Sequence, residues 1–360
     1  MTVGIIGYGG ETGKGIAEYL LKKNYLVYGA QRHGSGVFQG YSNFEQDILD
    51  AGNTENVKAF ASKCDMLINC AAPSYRYSSG IARAAGEAGT VYLDLTECAV
   101  SDDLPGGGIY ITSCGYIPGL SGILPKFIMD EYFDTVDSVI TFQGSSQLCS
   151  DRALKDIVLS AGKTGYVDAC CSNGKVEKLA VDHRKRFALP FIGEEVILKP
   201  YLSEEMKELA IRADIRELKS FNVYENASQF TFFLRLMAAL ASEDTSKADA
   251  LIGSERRKRA GSDEAAQSVL LGEVSGSRDG TEKCVRYHFS TADMNNITSA
   301  AAGVIADRVL RSEVDPGTYF AWQFADRELI SELKNCFCKD DHFDIEEIPA
   351  GMSFDCCSRM

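Results

Sequence analysis

The sequence predicts an α/β fold in which a parallel sheet wound with helices is joined to a second, α+β domain, and three features point there. Over the first third, short apolar runs alternate with helix-like stretches, the pattern of βαβ units. The first run leads directly into a glycine cluster and then a helix. After about Asp134 the alternation fails, and the chain reads as antiparallel strands mixed with helices. With 360 residues and 45% hydrophobic content, two cores are expected, because a single core stops growing near ~250 to 300 residues.

Taken in order, strands are expected at Val3–Ile6, Leu26–Tyr28, Met66–Asn69, Val91–Leu95 and Ile109–Thr112. Each is a short apolar run bounded by turn residues. Helices are expected between them at Lys14–Leu21, Thr54–Ser62, Gly80–Ala88 and Leu120–Tyr132. Farther on, helical segments lie at Glu204–Arg212 and Phe230–Ala241. Val269–Gly276 and Cys284–Ser290, separated by a polar turn with Arg278, Asp279 and Gly280, read as a hairpin. Ile297–Leu310 is a small-residue helix suited to close packing and expected to return to the first domain. Glu255–Arg259 reads as a solvated charged loop, with a phosphate contact or mobile flap as the alternative. The Cys- and acid-rich tail from Lys339 carries no legible motif.

A net charge of -14 excludes a surface made to gather nucleic-acid phosphates. No stretch reaches the ~18 to 20 apolar residues of a membrane span, and Met1 leads into a strand without a cleavable leader. A cytoplasmic location is therefore expected. The twelve cysteines form no CxxC pair, and the close pairs Cys170–Cys171, Cys336/Cys338 and Cys356–Cys357 lack zinc-site spacing. Reduced thiols and no metal are expected.

The run Gly7-Tyr8-Gly9-Gly10-Glu11-Thr12-Gly13 sits between the first strand and the first helix, where a dinucleotide's diphosphate is held. Gly7 and Gly10 allow the tight turn, Gly13 lets helix and strand approach, and the helix N-terminus offers free N–H groups and a positive dipole end. The spacing is GxxGxxG, with Thr12 in place of the last glycine of the commoner form. An NAD site usually ends its second strand with Asp or Glu for the ribose 2′-hydroxyl. Here Gln31-Arg32-His33 follows, with no carboxylate, and Arg32 can pair with a 2′-phosphate. The expected cofactor is NADP(H), in a Rossmann-type domain. Asp47 and Ile48, placed after the third strand region, are expected near the adenine. Cys70, Ala71, Ala72 and Pro73 end the fourth strand on the nicotinamide side.

With the glycine turn, the runs INCAAPSYRY (Ile68–Tyr77), YLDLTE (Tyr92–Glu97) and CGYIPGLS (Cys114–Ser121), and TSAAAGVIADRVL followed by VDPGTYF (Val314–Phe320), the sequence resembles the saccharopine dehydrogenase-like family, of the saccharopine reductase and carboxynorspermidine dehydrogenase type. The resemblance covers both ends of the chain and is looser in the middle. It implies a Rossmann domain over 1–133 and 296–335, an inserted substrate domain over 134–295 that also forms a homodimer, and a tail over 336–360. By motif position, Leu95, Thr96, Tyr116 and Ile117 would contact the cofactor, as would Gly9 and Glu11 in the turn. Tyr75 would face the substrate beside the nicotinamide. Gln147–Arg152 aligns with the family's substrate loop, so Arg152 would hold a carboxylate; a surface ion pair with Asp151 or Asp156 is the alternative.

Tyr75 and Asp94 are the candidate catalytic residues, with packing for Tyr75 and strand-end hydrogen bonding for Asp94 and Glu97 as the competing readings. His183 is a further candidate proton donor or a solvated loop residue. The chemistry implied by the resemblance is reduction of an imine formed from an amino acid or amine and an aldehyde, or its reverse, which asks the protein for positioning and charge more than for acid–base groups. Alternatives are a carbonyl or enoyl reductase, with Phe230, Phe232 and Phe233 lining an apolar pocket unless they pack in a core, and a non-enzymatic NADP-binding redox sensor.

Overall fold

The computed structural model describes residues 1–97, 104–161, 163–259, 267–349 and 353–354. In chain order the elements begin with β1 (Thr2–Ile6), α1 (Glu11–Lys22), β2 (Leu26–Gln31), β3 (Phe44–Ile48), α2 (Thr54–Ala61), β4 (Met66–Asn69), α3 (Ser74–Glu87), β5 (Val91–Asp94), β6 (Ile109–Thr112) and α4 (Leu120–Tyr132). They continue with β7 (Thr135–Ser145), α5 (Asp151–Ala161), β8 (Gly165–Val167), β9 (Ala169–Ser172), β10 (Lys175–Lys178), β11 (Phe187–Leu189), β12 (Gly193–Ser203), α6 (Glu204–Arg212) and β13 (Glu217–Tyr224). The last group is α7 (Ala227–Ala241), α8 (Thr245–Arg259), β14 (Ser268–Arg278), β15 (Thr281–Thr291), α9 (Met294–Arg311), β16 (Gly317–Phe320), α10 (Arg327–Lys334) and β17 (His342–Ile348). Two compact units result. One comprises Met1–Ile123 and Asn295–Phe337; the other runs from Leu124 to Met294 and resumes at Cys338.

The first unit is a Rossmann-type sheet. Seven parallel strands lie in the order β16-β6-β5-β4-β1-β2-β3. Parallel strands covered by helices on both faces must be apolar throughout. Accordingly Val3, Ile5, Ile6, Met66, Leu67 and Ile68 have at most 2% exposure. The strand order reverses direction at β1, whose neighbours are β2 on one side and β4 on the other, so the crevice at the carboxyl ends of β1 and β4 is where such a sheet receives a ligand. The small-residue helix α9 packs in this unit, with Ala301, Ala302, Val304 and Ile305 fully buried.

The second unit holds a ten-stranded sheet with the path β10-β9-β13-β7-β14-β15-β17; β12 joins β13, β11 and β8. The hairpin β14–β15 pairs from Ser268↔Thr291 to Arg278↔Thr281, as its alternation and Asp279-Gly280 turn predict. Three expectations need correction here. The sheet is not wholly antiparallel, because β13 runs parallel to β7. Glu255–Arg259 is no loop but the last turn of α8, where four cationic residues meet the negative end of the helix dipole. The tail supplies a real strand, β17, along the outer edge of β15. Cys356–Cys357 lies outside the described residues, and the described cysteines are free thiols. Among the described residues no helix is long and apolar enough to cross a membrane.

Candidate functional site

The glycine turn begins where β1 stops. Gly7 has φ +87°, and its N–H bonds to Ala30 O at 2.7 Å while its carbonyl accepts from Gly10 N at 3.1 Å. A Cβ on Gly7 would lie 2.7 Å from Cys70 O, and one on Gly13 only 2.4 Å from Gly7 O. Both positions therefore require glycine, one for conformation and both for space. The helix that follows starts at Gly10 without a side-chain cap, so the amides of its first turn are left for another acceptor. That is the cradle a diphosphate needs, and the turn fits one. Glu11 is exposed and Thr12 half-buried at its rim.

Sequence reasoning missed what holds this turn. Gly9 N donates to Gln31 Oε1 at 3.0 Å, and Gln31 Nε2 donates to His33 O at 2.6 Å, so the last side chain of β2 clamps the turn to the strand end. From α9, Asn295 Nδ2 reaches Glu11 Oε2 at 2.7 Å and Ser299 Oγ donates to Thr12 O at 3.0 Å. A polar residue ending an apolar strand is a visible signal for Gln31; nothing near Asn295 or Ser299 points to residues 284 and 287 positions earlier.

Arg32 follows the clamp, exposed and with no ion pair among the described residues. Asp47 and Ile48 are not beyond the third strand but its last two residues. Ile48 is 68% exposed, an apolar surface suited to a base, whereas the Asp47 carboxylate is turned to Lys63 at 2.9 Å.

On the other side of β1, Cys70, Ala71, Ala72 and Pro73 form the exit from β4, with Ala72 exposed. The Cys70 thiol is pushed above its ordinary value by burial and by the Asp94 charge. Helix α3 starts at Ser74, six residues before the predicted start, because Pro73 and the polar Ser74–Tyr77 stretch hide its apolar period. Tyr75 consequently sits in its first turn, 36% exposed.

Asp94 does not meet its catalytic expectation. It is 1% exposed and its carboxylate accepts from Thr96 N at 2.8 Å, Thr96 Oγ1 at 2.9 Å, Asn69 Nδ2 at 3.0 Å and the Tyr92 hydroxyl. With its lone pairs committed inside the fold, it is a strand-end anchor. Glu97 is likewise buried. Leu95 and Thr96 are half-buried at the exit of β5, and Ile117 is 38% exposed, but Tyr116 as a whole is 3% exposed and buried in the fold.

In the second unit, Arg152 lies exposed in the first turn of α5. The Asp151 pairing considered for it is taken: Asp151 Oδ1 binds Arg256 Nε at 2.7 Å. His183 is half-buried; its Nδ1 meets Leu198 O at 3.2 Å and its ring packs against Phe230. Phe232 is 6% exposed in a cluster with Leu154, Leu236 and Ile252, whereas Phe230 and Phe233 are half-buried and pack on Tyr224.

No family model and no curated protein matches the sequence. Among solved structures, the chain is similar to the apo, histidine-tagged saccharopine dehydrogenase (L-Glu forming) of Saccharomyces cerevisiae, with a TM-score of 0.66 at 12% identity over 97% of this chain and 100% of that one. Smaller parts are similar to a wide-type short-chain dehydrogenase/reductase from Veillonella parvula DSM 2008 in complex with NADP (TM-score 0.24, 12% identity, 26% of this chain and 46% of that one). NmrA, a negative transcriptional regulator in complex with NADP, is similar over 31% of this chain and 44% of its own (TM-score 0.27, 11% identity). Across its whole length, then, this chain has the fold of saccharopine dehydrogenase.

Proposed function

We propose that the protein is an NADP(H)-dependent oxidoreductase of the saccharopine dehydrogenase type, which reduces an imine formed from an amino acid or amine and an aldehyde, or runs the reverse oxidation. One observation carries the reading: a glycine turn shaped for a diphosphate stands beside a second strand that ends in Gln31 and an unpaired Arg32 in place of a carboxylate. The likeness of fold to saccharopine dehydrogenase over 97% of this chain supports the choice of chemical class.

In this reading the first-turn amides of α1, from Glu11 to Gly13, and the α1 dipole hold the diphosphate, and Arg32 pairs with the 2′-phosphate. Ile48 offers its apolar face to the adenine. The backbone at 70–73 and 95–96 lines the nicotinamide end, with Tyr75 at its edge. When bound, the nicotinamide supplies or accepts the hydride. Arg152 anchors a substrate carboxylate. A protonated imine carbon is already electron-poor, so the side chains need supply only orientation and water exclusion, which agrees with Asp94 being withdrawn from acid–base work.

Equilibrium binding of NADPH and NADH to the purified chain tests the cofactor assignment. NADPH is expected to bind more tightly, and Arg32→Asp to cost it about 10- to 100-fold, the worth of a charge-assisted contact, while leaving NADH affinity level or higher. Equal affinity of the wild type for both would refute the role of Arg32. Turnover is then measured with amines and aldehydes singly and paired. Consumption of NADPH only when both are present, with a raised KM for the carboxylated partner in Arg152→Ala, is the expected outcome. Turnover on an aldehyde or enone alone would mark a carbonyl or enoyl reductase instead, and tight binding without turnover a redox sensor.

A further inference from the structure

The buried polar residues at the ends of β4 and β5 form one connected network. Asn69, 2% exposed, is its hub. Its Oδ1 accepts from Ala71 N at 3.0 Å, which fixes the first bend of the 70–73 loop. Its Nδ2 faces Ser78 Oγ at 3.0 Å on α3, Tyr92 Oη at 3.1 Å and Asp94 Oδ2 at 3.0 Å on β5. Tyr92, itself fully buried, gives its proton to Asp94 Oδ2. The far oxygen of Asp94 takes both the N–H and the hydroxyl of Thr96. Backbone bonds extend the chain to the exit of β6, from Cys114 N to Asp94 O at 3.0 Å and from Ser113 N to Thr96 O at 3.1 Å.

Polar groups buried this deeply are retained only when satisfied, and each is satisfied here by another member of the set. Nothing in the packing of a parallel sheet requires them: the preceding residues Leu67, Ile68 and Leu93 are apolar and fully buried. What the network does is tie three successive strand-end loops to one amide side chain. Two of those loops are the ones the proposed cofactor reading places at the nicotinamide end.

We propose that Asn69 is a positioning residue that sets, through Ala71 N on one side and the Asp94–Thr96 pair on the other, how loops 70–73 and 95–96 present their backbone to the nicotinamide half of the cofactor. The inference rests on the dinucleotide reading above and adds a division of labour to it. Gln31 and Arg32 serve the adenosine half, and Asn69 serves the other.

The test compares two ligands by calorimetry: NADP+, and 2′-phospho-ADP-ribose, which lacks the nicotinamide. For Asn69→Ser and for Thr96→Val, which cuts the same network without opening the core at its hub, NADP+ affinity is expected to fall about tenfold, the worth of one or two hydrogen bonds, while affinity for 2′-phospho-ADP-ribose stays within twofold. Asn69→Asp should not rescue, because it sets a second carboxylate against Asp94. Equal losses for both ligands, or none for either in the folded Thr96→Val protein, would overturn the positioning role. A wild-type chain that binds neither ligand would sink the dinucleotide reading itself, and the inference with it.

Discussion

The two units place their charged and polar residues by opposite rules. In the first, they gather at the carboxyl ends of parallel strands: Gln31 closes β2, Asn69 closes β4 and Asp94 closes β5, while the interiors of these strands stay apolar and only the edge strand β3, with Glu45, Gln46 and Asp47, is polar along its length. In the second, charge lies along the strands. Lys219, Ile140, Glu273, Arg286 and Glu346 stand opposite one another on β13, β7, β14, β15 and β17. Glu273, 2% exposed, binds Arg286 at 2.6 Å, and Arg286 lies over the Phe354 ring. A sheet helix-covered on both faces sends its polar work to its ends, whereas a mainly antiparallel one can carry paired charge across a face.

The strongest way to break this comparison is to alter a strand end. Gly7→Ala forces a Cβ into φ +87° and to 2.7 Å from the Cys70 carbonyl, and should cost about 3 to 5 kcal/mol by urea unfolding. The matched change Gly280→Ala, at φ +73° with nothing within 4 Å, should cost only about 1 to 2 kcal/mol. Similar losses at the two sites would show that the close approach of β1 to the β4 exit matters little.

Next in size, Glu273→Ala leaves Arg286, 14% exposed in its side chain, with Glu346 as its remaining ion-pair partner among the described residues, and is expected to cost about 3 kcal/mol. Replacing both with Leu and Met should recover most of it, and dinucleotide affinity should stay within about twofold. A large fall in that affinity would contradict the assignment of the face charges to stability alone.

The smallest effect belongs to the exception in the first unit, Asp307, a buried carboxylate within a helix. Burial alone would raise its carboxyl, but hydrogen bonds from Tyr25 and Lys23 and the charges of Lys23 and Arg311 hold it below the ordinary 3.8. Its stabilising contribution is therefore complete above pH 3.8 and is lost as pH falls through the depressed value. Asp307→Asn should cost about 1 to 2 kcal/mol at pH 7, and the gap from wild type should close in acid. A gap that widens below pH 4 would reverse the sign argued here.

How much could be read from the chain follows the same division. The parallel strands and the glycine turn are legible because their causes are local: an unbroken apolar run, then residues that permit φ > 0 and close contact. The neutral end of β2 is legible for the same reason. The clamp by Asn295 and Ser299, and the capture of Asp94 by Asn69 and Tyr92, depend on partners that only the folded sheet brings together. Asp94 looked available for chemistry because a strand-end carboxylate carries no mark of how many donors will surround it. The end of α8 was unreadable for another reason: a helix with Ala248 and Ile252 as its buried residues has too little apolar period to betray itself. β17 escaped notice because its polar side chains belong to a sheet edge.

The hold of α9 on the first turn of α1 also orders events in time. A ribosome that has released residues 1–123 has made every glycine of the turn and every strand of the sheet but β16, yet neither Asn295 nor Ser299 exists. At ~5 to 20 residues per second, the nascent chain waits roughly 10 to 35 s for them. During that interval the turn has its Gln31 clamp but lacks the contacts from α9 to Glu11 and Thr12. The cradle is thus translated well before the α9 residues that brace it.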